Sequence, residues 1–152
     1  QPILLHEDRL QPGVMQSLEQ LKRRGARLFL VTLRCQAEAV QLLQQFNLAH
    51  YFDKICGAQD RFAAYQNYTE GKQALLKDLV YEVNPAIHSQ CWIIGDTEAD
   101  VLAGQALGLS TVAVTCGMRS HSYLKRLAPT TVQPDLQTAT QYLLTTVAAS
   151  NG

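Results

Sequence analysis

Residues 91–104, Cys-Trp-Ile-Ile-Gly-Asp-Thr-Glu-Ala-Asp-Val-Leu-Ala-Gly, decide how this chain reads. The apolar run Trp92-Ile93-Ile94 reads as a short buried strand, and Gly95 lets the backbone turn sharply where that strand ends. Asp96 then stands at the strand's carboxyl end, and Asp100 follows one helical turn later. That spacing lets both carboxylates converge on one hard cation, and paired oxygen ligands beside open water positions suit magnesium. A purely local reading also exists: Asp96 caps the following helix, and Asp100 favours its positive end. The surroundings have to choose between the two.

Outward from this stretch, apolar runs and amphipathic segments alternate along the whole chain. Pro12 and Gly13 open a helix with Val14, Leu18 and Leu21 on one face, closed by Gly25. Leu28-Phe29-Leu30-Val31 is a continuous apolar run, as expected of a strand covered on both faces. Helical spacing returns from Ala37 to Phe46 through Val40, Leu43 and Leu48, and Phe52 to Cys56 is a short strand candidate. Gly71 to Val83 is helical, with Leu75, Leu76, Leu79 and Val80 inward. The Trp92–Ile94 strand, a helix over Glu98–Leu107, a strand over Thr111–Thr115 and a helix from about Leu136 to Val147 follow. Strands joined by helices of this length predict an α/β fold with a parallel, doubly wound sheet. Gly57 to Thr69 and Gly117 to Pro134 read as loops. In such sheets ligands bind beyond the carboxyl ends of the strands.

Composition narrows the function. The chain has 152 residues, 47% of them apolar, enough for one domain with a real core. Lys plus Arg (13) equals Asp plus Glu (13), which argues against nucleic acid or a membrane surface as partner, since either needs a basic face. A small anion in a cleft stays compatible with that balance. No apolar run has the length of a membrane span, and the amino end shows no signal-peptide pattern. Cys35, Cys56, Cys91 and Cys116 are widely spaced and form no Cys-x-x-Cys pair, which argues against zinc and a disulfide framework. The expectation is a soluble, cytoplasmic protein.

The residues just past the apolar runs carry the candidate chemistry. Thr32 follows Leu28–Val31, where a hydroxyl can donate to a phosphate oxygen or, more plainly, cap the next helix. Arg34, two residues on, is a candidate for meeting a substrate anion, or else a solvated arginine. Lys72 opens the helix after the first long loop. A cation at a helix N-terminus opposes the helix dipole, so an anionic ligand or a carboxylate cluster should favour it there. A solvated lysine is the bland counterpart. The histidines 6, 50, 88 and 121 lack ligand spacing. Tyr65 and Tyr68 flank the cleft mouth on this reading, and Gly117-Met118-Arg119-Ser120 lies at its edge.

Thr32 after an apolar strand, Lys72 opening a helix, and Gly95-Asp96-Thr97-Glu98-Ala99-Asp100 after another strand resemble the second, third and fourth motifs of the haloacid dehalogenase-like hydrolases. The resemblance covers nearly the whole chain. It includes Leu10-Gln11-Pro12-Gly13-Val14, Gly104-Gln105-Ala106-Leu107-Gly108-Leu109 and Pro134-Asp135. It implies a Rossmann-like core that hydrolyses small phosphate monoesters, taking a phosphorylated metabolite as substrate and Mg2+ as cofactor. In that family an aspartate ending the first strand forms an aspartyl-phosphate, and a second aspartate two residues on serves as acid and then base. Carried over by motif, Thr32 would hydrogen-bond the transferring group and Lys72 would hold it by charge. Asp96 and Asp100 would anchor the metal, one of them through water.

The first motif, Asp-x-Asp-x-Thr/Val, is absent: no two aspartates stand two apart in these residues. Ile3-Leu4-Leu5-His6-Glu7-Asp8 is the only substitute, and Asp8 lies too close to Pro12 for the crossover a parallel strand needs. The expectation is therefore that residues 1–9 are a linker returning from an upstream segment, with the core over 10–152, and that the first strand, nucleophile and cap lie upstream. A dehalogenase, phosphonatase or mutase is possible within the same family. A catalytically inactive domain with a binding or assembly role is the alternative from another class.

Overall fold

The computed structural model describes residues 13–58, 68–82, 90–117 and 119–151. In chain order its elements are α1 (Val14–Arg23), β1 (Phe29–Cys35), α2 (Gln36–Gln45), a short 3-10 turn (Ala49–Tyr51), β2 (Lys54–Ala58) and α3 (Tyr68–Glu82). Then come β3 (Trp92–Gly95), α4 (Glu98–Ala106), β4 (Ser110–Val114), α5 (His121–Arg126), β5 (Thr131–Gln133) and α6 (Leu136–Asn151).

Successive residues of each central strand point to opposite faces, and each face is apolar because each is covered by helices. Leu30 of β1 and Val112 and Val114 of β4 are buried with Val14 and Leu18 of α1, Ala39 and Leu43 of α2, and Ala139 and Leu143 of α6. On the other face, Val31 of β1 and Ile93 of β3 pack with Leu76 and Leu79 of α3 and Ala103 of α4. Trp92 and Ile94 flank Ile93 and turn back to the first face, where Trp92 meets Tyr142 edge-on at 6.0 Å between ring centroids. This is the doubly wound arrangement the continuous apolar runs predict.

All strand pairs are parallel, but the strands fall into two groups. β1 pairs with β2, and β3-β4-β5 form a second sheet in that order. Among the described residues β1 and β3 do not pair, although both feed the same two layers of core.

Several expectations are corrected. Gly117 to Pro134 is not a loop, since it contains α5 and β5. Ser120 caps α5 by accepting from the Tyr123 amide (3.2 Å), and Thr111 and Thr130 exchange hydroxyl bonds with each other's amides (2.9 and 3.2 Å) ahead of β5. A six-residue helix and a three-residue strand are too short to show a period. Leu48 is buried as expected, but beyond the end of α2, after Asn47 turns into the left-handed region (φ 58°). α3 is helical from Tyr68 rather than Gly71, so Lys72 lies one turn inside it. The linker expected over 1–9, Tyr65 and Met118 lie outside the described residues.

Candidate active site

The turn after β3 is built on close backbone approach. A Cβ at Gly95 would collide with the side chain of Asp100, so only glycine lets that carboxylate fold back over the strand end. Thr97, not Asp96, is the N-cap of α4. Asp100 accepts from the Thr97 amide (3.2 Å) and the Thr97 hydroxyl (2.9 Å) through Oδ2. The local reading of Asp100 is thus correct as far as one of its oxygens goes.

The other oxygen does something a capping residue does not. Asp100 Oδ1 lies 2.6 Å from Nζ of Lys72, with the two side chains 1% and 2% exposed. Lys72 comes from α3, which packs along α4, so two helices bring the pair together. The bland reading of Lys72 as a solvated surface lysine fails on its burial. The anion expected to favour a cation near this helix start is the Asp100 carboxylate, although Lys72 lies one turn inside the helix. Beyond this contact, neither Nζ of Lys72 nor Oδ1 of Asp100 has a hydrogen-bond partner among the described residues.

Asp96 is 2% exposed at the end of β3. The backbone of Gly117, just past β4, lies against its carboxylate so closely that a Cβ there would clash. Lys72, Asp96 and Asp100 are the buried charged side chains among the described residues, and together they carry one net negative charge. A buried carboxylate is costly unless it is paired, and the Lys72 ammonium offsets that cost for Asp100. Hard carboxylate oxygens such as those of Asp96 and Asp100 fit the chemistry of a magnesium ion that keeps several waters. No group of three or more His, Cys, Asp or Glu side chains is assembled among the described residues.

Thr32 is 5% exposed and lies within β1, not at a helix cap. Its Oγ1 accepts from the Arg34 amide at 3.1 Å, which leaves the hydroxyl proton to donate elsewhere. Arg34 is half-buried near the end of the same strand, one residue before Cys35. The structure thus joins Lys72 to Asp100 directly and buries Thr32 within β1 and Asp96 at the end of β3. Arg119, placed by the sequence at the cleft edge, grips Glu98 with Nε (2.9 Å) and Nη2 (3.2 Å). That hydrogen bond holds the Glu98 carboxyl below its usual range. It also ties the loop carrying Gly117 to the first turn of α4. This bridge was not foreseen, because no pattern links residues 98 and 119.

The fold is that of a known class. The sequence profile of the haloacid dehalogenase-like hydrolases matches residues 4–114, and the chain belongs to that family. Among its relatives, pyrophosphatase PpaX of Halalkalibacterium halodurans is 28% identical over 137 residues, or 86% of this chain and 61% of that protein. A phosphoglycolate phosphatase of Psychrobacter arcticus is 29% identical over 140 residues, or 92% of this chain and 58% of its own length. A crystal structure from Clostridium acetobutylicum, assigned as a phosphatase by prediction, superposes with a TM-score of 0.74 at 27% identity. The match covers 88% of this chain and 59% of that one. A haloacid dehalogenase-like hydrolase of Streptococcus pneumoniae has a TM-score of 0.73 at 21% identity, over 88% of this chain and 60% of its own, and so speaks to the fold alone. The chain spans less than two thirds of each of these proteins.

Proposed function

We propose that this chain is the larger part of a magnesium-dependent phosphatase acting on small phosphate monoesters. The observation that carries this reading is the buried Lys72–Asp100 ion pair, with Asp96 also buried, four residues before Asp100, just past the carboxyl end of a parallel strand. Phosphoryl transfer depends chiefly on positioning and charge neutralisation, which such a cluster supplies. Asp96 would hold the metal directly and Asp100 through water, because its two oxygens already serve Lys72 and Thr97. Bound there, magnesium would neutralise charge on the transferring phosphoryl group. The Lys72 ammonium keeps N–H groups for the phosphate and the nucleophile. The Thr32 hydroxyl donates to a phosphoryl oxygen, and Arg34 meets the substrate's anionic edge.

The nucleophile in this reading is an aspartate upstream of residue 1. Its carboxylate oxygen bonds to phosphorus as the ester oxygen departs, and water then releases phosphate from the aspartyl-phosphate. The relatives' names, phosphoglycolate phosphatase and pyrophosphatase, support a small phosphorylated substrate. Among the described residues no helix is long and apolar enough to cross a membrane.

The test compares three proteins on an aryl phosphate with magnesium: residues 1–152, the chain extended upstream through an Asp-x-Asp segment, and the extended chain with Asp96→Asn. Only the extended chain should hydrolyse the ester, and a chelator should stop it. Hydrolysis by residues 1–152 alone would show the nucleophile to be misplaced. Inactivity of the extended chain would favour a binding or assembly role.

A further inference from the structure

β1 does not run evenly beside β2. Val31 pairs with Cys56, but the next pair is Cys35 with Ala58, so four steps along β1 match two along β2. The surplus backbone is the stretch Thr32–Arg34, which bulges opposite Gly57. A bulge of this kind re-aims a side chain at the price of broken ladder bonds. Here the bonds are remade by one side chain. Gln36, the first residue of α2, donates through Nε2 to the Ile55 carbonyl (2.8 Å). Its Oε1 accepts from the Gly57 amide at 2.5 Å. One amide thus supplies both the donor and the acceptor that a strand residue would have offered to β2.

Gly57 completes the device. A Cβ there would come within 2.7 Å of Gln36 Cα and 2.8 Å of the Arg34 carbonyl oxygen. The bulge and the start of α2 therefore rest directly on the β2 backbone. Inside the bulge, the Arg34 amide donates to Thr32 Oγ1 at 3.1 Å.

We propose that Gln36 is a positioning residue. By pairing with Ile55 and Gly57 it holds the Thr32–Arg34 bulge in the shape that presents the Thr32 hydroxyl and the Arg34 side chain to a phosphate-sized anion. The anion part rests on the phosphatase reading above. Glutamate at this position keeps the size and the acceptor for Gly57 but loses the donor to Ile55. Leucine keeps approximate bulk and loses both.

Amide hydrogen exchange and anion binding test this in the 152-residue chain. Exchange at Arg34 and Gly57 should quicken about tenfold or more in Gln36→Leu and less in Gln36→Glu, while Leu30 and Val31 in the paired part of β1 stay protected. Orthotungstate, a phosphate mimic, should shift the Arg34 amide resonance of the parent chain, with affinity about tenfold weaker in Gln36→Leu, the loss of a well-placed charge-assisted bond. Asp53→Asn, a change at the opposite end of β1, serves as the control and should leave tungstate affinity intact. Unchanged exchange at Arg34 in Gln36→Leu overturns the proposal. So does exchange that quickens evenly through β1, since Gln36 would then hold the strand in general. If the parent chain ignores tungstate while the exchange pattern appears, the phosphate reading of Thr32 and Arg34 fails and the positioning role of Gln36 stands.

Discussion

The ends of β3 and β1 solve the same problem, a functional turn at the carboxyl end of a parallel strand, with opposite means. At β3 the turn is local and charged. Gly95, Thr97 and Asp100 lie within six residues, and the one distant contributor, Lys72, arrives as an ion. At β1 the turn is neutral and remote. It is a bulge whose bonds are closed by Gln36 onto Ile55 and Gly57, about twenty residues along the chain. A buried charge pair is highly sensitive to loss of either member, whereas neutral hydrogen bonds each contribute modestly. The two ends should therefore respond very differently to mutation.

The largest effect is expected at β3. Lys72→Met leaves Asp100 buried without its cation, and unfolding in urea should show a loss of about 3–5 kcal/mol. Adding Asp100→Asn should recover much of it. A double variant as unstable as the single one would break the claim that charge dominates this end.

At β1, Thr32→Val removes the acceptor for the Arg34 amide and should cost about 1–2 kcal/mol in the same measurement. A loss matching that of Lys72→Met would erase the contrast.

A third variant compares the buried ion pair with an exposed one. Asp53, one third exposed, accepts from Lys22 Nζ (2.9 Å) and the Leu28 amide (2.7 Å). The Lys22 hydrogen bond first, then the Leu28 amide, hold its carboxyl below the usual range. The folded state therefore releases the Asp53 proton more readily than the unfolded chain. Its stabilisation is complete above the unfolded pKa of about 4 and disappears as pH falls through the lower folded value. With solvent screening it should amount to less than about 1 kcal/mol. Asp53→Asn should trail the parent at pH 7 and converge with it in acid. A gap that stays constant with pH would remove the charge from the explanation.

The smallest effect concerns a helix end that uses the wrong residue for its geometry. Ala128 follows α5 in the left-handed region (φ 56°), held there as Gln105 Nε2 donates to the Leu127 and Ala128 carbonyls (2.7 and 3.0 Å). Ala128→Gly should raise stability by about 0.5 kcal/mol, visible as a small rise in Tm.

The same contrast explains what could be read from the chain. The β3 turn was legible because its chemistry is contiguous: an apolar run, a glycine, then two aspartates a helical turn apart. The layers were legible too, since Leu30-Val31 and Trp92-Ile93-Ile94 are apolar at successive positions and so need cover on both faces. The capping role of Thr97 was missed because Asp96, an equally good cap by type, precedes it. The Lys72–Asp100 bond was anticipated only as a cation in want of an anion. Gln36 carries no signal at all, since a glutamine at a helix start is ordinary until Gly57 is set beside it. α5 and β5 were hidden by their brevity.

The phosphatase proposal stands or falls on whether the buried Asp96 carboxylate takes a divalent cation. Thermal unfolding of residues 1–152 with and without magnesium tests it without any need for turnover. At about ten times its dissociation constant, magnesium should add about 1.4 kcal/mol to the parent chain and nothing to Asp96→Asn. An equal gain in both proteins, or none in the parent, would contradict the account.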